Sequence, residues 1–134
     1  MSYQVQPVGW VESALTERAN APKQGDEGAP AAWLAFEPQF ADAMRDLRDG
    51  DEILVLTWLD RARRDVNVVR PRKDPAQPLT GVFSTRSPDR PNPIGLHRVR
   101  VIAVAGTRVQ VAPLEALDGT PVIDVKPVLH PGER

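Results

Sequence analysis

Apolar residues recur along this chain mostly with period two, in short runs broken by proline, glycine and charge, and once with the spacing of a helix. Residues 3–13 alternate as a strand, with Val5, Pro7, Gly9 and Val11 on one face and Val8 and Trp10 on the other. Residues 16–30 are polar, rich in Ala, Gly and Pro, and without period, which predicts a long loop of the kind that is usually mobile or functional. A short strand follows at 31–36. Pro38 then opens a helix, being suited to the first helical position, and Phe40, Met44 and Leu47 fall at i, i+4 and i+7 before Gly50 ends it. A stripe this narrow covers a sheet rather than forming a site.

Residues 53–59, ILVLTWL, are nearly unbroken apolar sequence and predict a strand buried on both faces, closed by the charged pair Asp60 and Arg61. A short strand at 66–69 and a turn at 74–78 lie within a basic run. Residues 99–105 and 108–112 alternate around Ala105-Gly106-Thr107, a hairpin pattern. A turn at 114–119 leads to a last strand at 121–127, where period two sets Asp124 and Lys126, a simple ion pair, opposite Ile123 and Val125. One helix cannot supply the long crossovers of a parallel sheet. The expected fold is therefore mainly β, a small antiparallel closed β-barrel with one short α-helix, forming a single domain over residues 1–134.

The most constrained stretch is 81–96, GVFSTRSPDRPNPIGL. Its three prolines fix three φ angles, delete three backbone donors and bias the preceding residues away from the helical region, so residues 86–95 form a loop shaped by covalent chemistry. It carries Thr85, Arg86, Ser87, Arg90 and Asn92, polar groups with little entropy left to lose on binding. Two readings stand side by side: a preformed binding collar, or a stiff surface turn with solvated arginines.

Composition narrows this little: 41% hydrophobic and 26% charged residues are ordinary for a globular chain of 134 residues. The absence of cysteine removes disulfides and thiolate metal sites, and the two histidines are far apart in sequence, so no metal site is expected. With no apolar run of membrane length and no leader pattern, the expected compartment is cytoplasmic. The net charge of −1 conceals an asymmetry: residues 1–60 hold 4 basic and 11 acidic side chains, residues 61–100 hold 10 and 3. The basic block either faces phosphates or neutralises the acidic block. No phosphate-cradling glycine loop, metal-ligand cluster or nucleophile–base spacing is present, so any chemistry relies on positioning.

GVFSTRSPDRPNPIGL, together with LDGTPVIDVKP at 117–127 and QPVGWVES near the N-terminus, resembles the TrmO family, also called YaeB-like or TsaA-like, over essentially the whole chain. The resemblance is to a short form without the C-terminal segment of longer members. It implies a YaeB-like barrel and a homodimer that binds S-adenosyl-L-methionine. It also implies methyl transfer to the exocyclic amine of a threonylcarbamoyl-modified adenosine in tRNA. By motif, the resemblance places Pro22, Lys23, Gln24, Asp60, Arg61, Arg86, Leu96, Leu114, Glu115 and Ala116 around the cofactor. Lys23 stands where the family has arginine, so a bidentate contact there becomes a point charge. Arg90, Asn92 and Lys126 either shape loops or meet substrate. His97, where many members have serine, and Asp124 are the candidate general bases. Three functions stay open: a tRNA methyltransferase, a methyltransferase of another, small-molecule substrate, and a non-catalytic S-adenosyl-L-methionine-binding module.

Overall fold

In the chain's computed structural model, which describes residues 1–17 and 28–132, alternation becomes strand wherever a partner can supply backbone hydrogen bonds. In chain order the strands are β1 (Gly9–Glu12), β2 (Ala32–Phe36), β3 (Glu52–Trp58), β4 (Val68–Val69), β5 (Thr80–Gly81), β6 (Ile94–Ala105), β7 (Arg108–Ala112) and β8 (Pro121–Pro127). One α-helical turn, α1 (Ala41–Met44), follows a 3₁₀ turn at Pro38–Phe40. The fold is mainly β, and every strand pairing is antiparallel. Six strands pair in the order β1-β2-β7-β6-β3-β8, and a short ladder, Gly9 with Val122 and Trp10 with Pro121, joins β8 back to β1, while β4 and β5 form a separate ribbon.

One face of each of the six ring strands fills the interior. Val11, Leu34, Val55, Val99, Val101, Val109, Val111 and Val122 are all essentially inaccessible and share one core with Met44 and Leu114. β3 departs from the expected two-sided burial: Ile53, Val55 and Thr57 are buried, but the residues between them are only half covered, because their face is the outside of the ring. Thr57 is the one polar residue among them.

The expected helix through Gly50 shrinks to α1. Asp51 Oδ2 accepts from the Arg48 amide at 2.9 Å while the Asp51 amide donates to Arg48 O at 3.0 Å, a turn that outcompetes further helix, and Gly50 takes φ 93° within it. Met44 still enters the core and Leu47 packs against it. β1 likewise begins late, at Gly9, since ladder bonds start only with the Val8 amide on Val122 O; Pro7 has no donor to extend them, and Tyr3 and Val5 are exposed. Residues expected at 66–69 form a strand only at Val68–Val69. In β8 a bulge breaks period two: Leu56 faces Asp124 but Thr57 faces Val122, so Val122 and Val125, not Ile123, reach the core. The Asp124–Lys126 pair forms as expected, at 3.3 Å. Among the described residues no helix is long and apolar enough to cross a membrane.

The interior should respond to truncation far more than the outer face. Leu34→Ala is expected to cost about 2–5 kcal/mol in denaturant unfolding, and Val104→Ala, on the outer surface, less than about 0.5 kcal/mol.

Candidate functional site

The end of β3 and the start of β6 carry the chain out of the ring, and the proline-rich segment between Thr85 and Pro93 folds over that end. Prolines 88, 91 and 93 have no N–H to give, so side chains supply the missing donors. Arg64 donates from Nε to Pro91 O and from Nη2 to Asn92 Oδ1, both at 2.8 Å. Arg90 folds back so that Nη2 donates to Val82 O and, at 3.0 Å, to Thr85 O. Its Nε is buried without a partner among the described residues. Thr85 Oγ1 accepts from the Ser87 amide at 3.1 Å and donates to Val82 O at 2.9 Å. The segment is tied to residues 59–63 by Leu59 N to Pro93 O (2.8 Å), Arg90 N to Arg63 O (3.0 Å) and Arg63 N to Asp89 Oδ1 (2.9 Å). Arg90 and Asn92 thus both take part in the hydrogen bonding of the loop.

This stitched loop roofs a cleft of about 780 Å³, within the range of small-molecule sites. Arg61, Arg70, Arg72, Lys73, Arg86 and Arg90 line it along with the carboxylates of Asp60, Asp89 and Glu115. Phe83, Leu96, Ala116 and Leu117 add apolar wall. Several of the cations are already directed: Arg61 Nη1 donates to Thr16 O at 2.9 Å, Arg70 Nη1 to Gln77 O at 2.6 Å, and Arg86 Nη1 approaches Leu96 O at 3.4 Å. Arg72 and Lys73 sit at φ 53° and 55°, in the left-handed region that non-glycine residues rarely adopt, and present two adjacent cations at the rim.

On the cleft floor His97 is 5% exposed and both its ring nitrogens are engaged: Nε2 lies 2.7 Å from Thr57 Oγ1 and Nδ1 2.6 Å from Glu115 Oε1. β3–β6 register sets this up by placing Thr57 opposite Gly95, two residues from His97 on the same inward face. A Cβ on Gly95 would lie 2.6 Å from His97 Nε2 and closer still to Thr57 Oγ1, so only glycine fits there.

Of the residues that the resemblance places around a cofactor, Asp60, Arg61, Arg86, Leu96, Glu115 and Ala116 line the one cleft. Leu114 does not line it: its side chain is fully buried in the core. Pro22, Lys23 and Gln24 lie outside the described residues. Asn92 and Lys126 are also not among the lining residues, and Lys126 faces Asp124. Of the two candidate bases, His97 reaches the cleft and Asp124 does not. Thr57, Gly95 and Thr120 were not singled out from sequence; the lone hydroxyl inside ILVLTWL was the available signal for Thr57. Among the described residues no three metal-binding side chains converge.

The family model described as tRNA-methyltransferase O N-terminal domain matches residues 10–131. An S-adenosyl-L-methionine-binding protein of Archaeoglobus fulgidus is 41% identical over 123 residues, covering 91% of this chain and 86% of its own. A probable S-adenosyl-L-methionine-binding protein of Methanothermobacter thermautotrophicus is 42% identical over 127 residues, covering 95% and 90%. Another Archaeoglobus fulgidus relative, a probable S-adenosyl-L-methionine-binding protein at 41% identity, is matched over only 34% of its length. The crystal structure of TrmO from Pseudomonas aeruginosa superposes with a TM-score of 0.74 at 28% identity, covering 96% of this chain and 57% of that one. A second crystal structure of TrmO gives 0.76 at 30% identity, covering 96% and 58%.

Losing the Arg90 guanidinium should open the roof. Arg90→Ala removes the nitrogen that donates to both Val82 O and Thr85 O, and is expected to cost roughly 1–3 kcal/mol and to speed amide exchange at Thr85 and Ser87 while leaving β7 protected.

Proposed function

The chain belongs to the family of the tRNA-methyltransferase O N-terminal domain, and from that premise we propose that it binds S-adenosyl-L-methionine in the roofed cleft and acts as a methyltransferase. The acceptor in this proposal is the exocyclic amine of a threonylcarbamoyl-modified adenosine in tRNA, which makes the enzyme cytoplasmic. The observation that carries it is the convergence of Asp60, Arg61, Arg86, Leu96, Glu115 and Ala116, scattered over 57 positions of sequence from 60 to 116, on one cleft. The ring of strand pairings supports taking the fold as the closed YaeB-like barrel.

The donor set suits the cofactor. Arg86 and its cationic neighbours match an α-carboxylate, Glu115 and Asp60 match positive charge, and Phe83, Leu96, Ala116 and Leu117 offer apolar surface to an adenine. When bound, S-adenosyl-L-methionine supplies an electrophilic methyl group on a sulfonium. The chain's own part is geometric: a loop whose φ angles and carbonyls are already fixed holds Arg86 and the cleft walls in place. Positioning of this kind contributes up to roughly 7–11 kcal/mol to a two-reactant step. Phe83, 88% exposed, and Ile94 and Leu96, each 42% exposed, all line the cleft and support a homodimer in which a second copy completes the site.

The chain spans somewhat more than half of the TrmO chains it superposes on. One observation favours a second reading, a small-molecule acceptor: much of the basic block is engaged internally. Arg63 makes a two-point pair with Asp65, both contacts at 3.0 Å, holding that carboxyl below its usual range. Arg64 stacks 5.1 Å from the Trp58 ring centre, and Arg98 binds Glu52 at 2.8 Å, lowering its carboxyl pKa.

Calorimetric titration with S-adenosyl-L-methionine should give saturable binding, weakened roughly ten- to a hundredfold by Arg86→Ala, as expected for losing a charge-assisted contact. Labelled methyl should then pass to tRNA carrying the threonylcarbamoyl group and not to tRNA lacking it; methylation of neither, with cofactor still bound, would favour the second reading.

A further inference from the structure

The roof and rim of the cleft are rich in guanidinium groups, yet its floor is built around a carboxylate. Glu115 is 15% exposed at its side chain, and only Oε1 is engaged, by His97 Nδ1 at 2.6 Å. Its other oxygen makes no hydrogen bond or ion pair among the described residues, and Glu115 lines the cleft. An ionised carboxylate can only accept, so Nδ1 carries the proton; in the neutral ring Nε2 then accepts from the Thr57 hydroxyl at 2.7 Å. A single chain of donors, Thr57 to His97 to Glu115, thus runs from inside the ring to the cleft floor. Thr57 is fully buried and His97 nearly so, which fixes the imidazole, and through it the carboxylate, in one orientation. Gly95 keeps open the space in which Thr57 and His97 meet.

A buried hydroxyl and imidazole are costly in a core that would otherwise be apolar, and here their effect is to aim one negative charge into a cleft of cations. We propose that Thr57 and His97 are positioning residues that hold the Glu115 carboxylate against the positive charge of the bound cofactor, so that the cleft discriminates the sulfonium from the neutral thioether left after methyl transfer. This rests on the cofactor reading above and adds to it the basis of charge selectivity. Discrimination by one fixed charge acts as a difference of affinities: it strengthens binding of the charged ligand and leaves the neutral one almost untouched. It also favours release of the product.

The test compares dissociation constants, by calorimetry on the full chain, for S-adenosyl-L-methionine, for its neutral product S-adenosylhomocysteine, and for sinefungin, which places an ammonium near the sulfur position. Glu115→Gln is expected to lower the affinity ratio of S-adenosyl-L-methionine to S-adenosylhomocysteine by tenfold or more, with sinefungin following the charged ligand. Thr57→Val should lower the same ratio about threefold, and Thr57→Ser, which keeps the hydroxyl, should leave it unchanged. A ratio within twofold of the unaltered chain in Glu115→Gln, or equal weakening of all three ligands, would overturn the inference while leaving the cofactor reading intact. Failure of the unaltered chain to bind any of the three overturns both. Thermal unfolding without ligand confirms that each variant compared keeps its fold, and a ratio in Thr57→Val equal to that in Thr57→Ser would overturn the hydroxyl's role.

Discussion

Side-chain donors replacing backbone donors is the constraint on which the rest of this structure depends. Pro88, Pro91 and Pro93 stiffen the segment but cannot donate, and a loop so depleted would leave its own carbonyls short of partners. Arg64 supplies a donor to Pro91 O and Arg90 to Thr85 O, and at Val82 O Arg90 joins the Thr85 amide and hydroxyl. Two arginines that look from composition like solvent-facing charge are therefore structural ties. Because the ties run to residues 59–63 as well as within the loop, the roof of the cleft is fixed to the mouth of β3.

The second constraint is register. Seven consecutive residue pairs join β3 to β6, and the pairing of Thr57 with Gly95 decides what occupies the floor. A slip of one position would invert one strand against the other, setting Leu96 in place of His97 beside Thr57, or Leu56 in place of Thr57 beside His97. The same ladder that builds the apolar core at Ile53, Val55 and Val99 thus ends, at its cleft end, in a polar cluster. Below it, at β8, the bulge at Ile123 lets Val122 and Val125 both face the core.

Much of this was legible in the residues. Alternation located β2, β7, β8 and β6 from Val99 onward, although β6 begins at Ile94, inside the stretch expected as loop, because pairing with β3 extends it; a shared motif placed Asp60, Arg86, Leu96, Glu115 and Ala116 near one another. What alternation misses is competition and context. The helix at 38–50 was cut short by a turn around Arg48 and Asp51 that periodicity does not register, and the strand at 3–13 lost its first half because pairing, not propensity, sets where a ladder starts. The motif sets Leu114 among the cofactor-contacting residues, yet its side chain faces the core. His97 had no partner in sequence because its partners lie 40 residues before and 18 residues after it and meet only through the β3–β6 register and the return of the chain at Glu115. The choice between loop-shaping and substrate contact at Arg90 likewise depends on which carbonyls are left unpaired, a question of three-dimensional bookkeeping that spacing cannot answer.

The central claim is that the roofed end of the ring is the cofactor site. Backbone amide shifts of the labelled chain, followed while S-adenosyl-L-methionine is added to saturation, test it most directly. Saturable shifts concentrated at residues 59–62, 83–90, 94–97 and 115–117, with the β6–β7 hairpin around Gly106 unmoved, are what the account requires. Saturable shifts centred on that hairpin or on the outer face of β2 and β7, with the proline-rich segment silent, would contradict it.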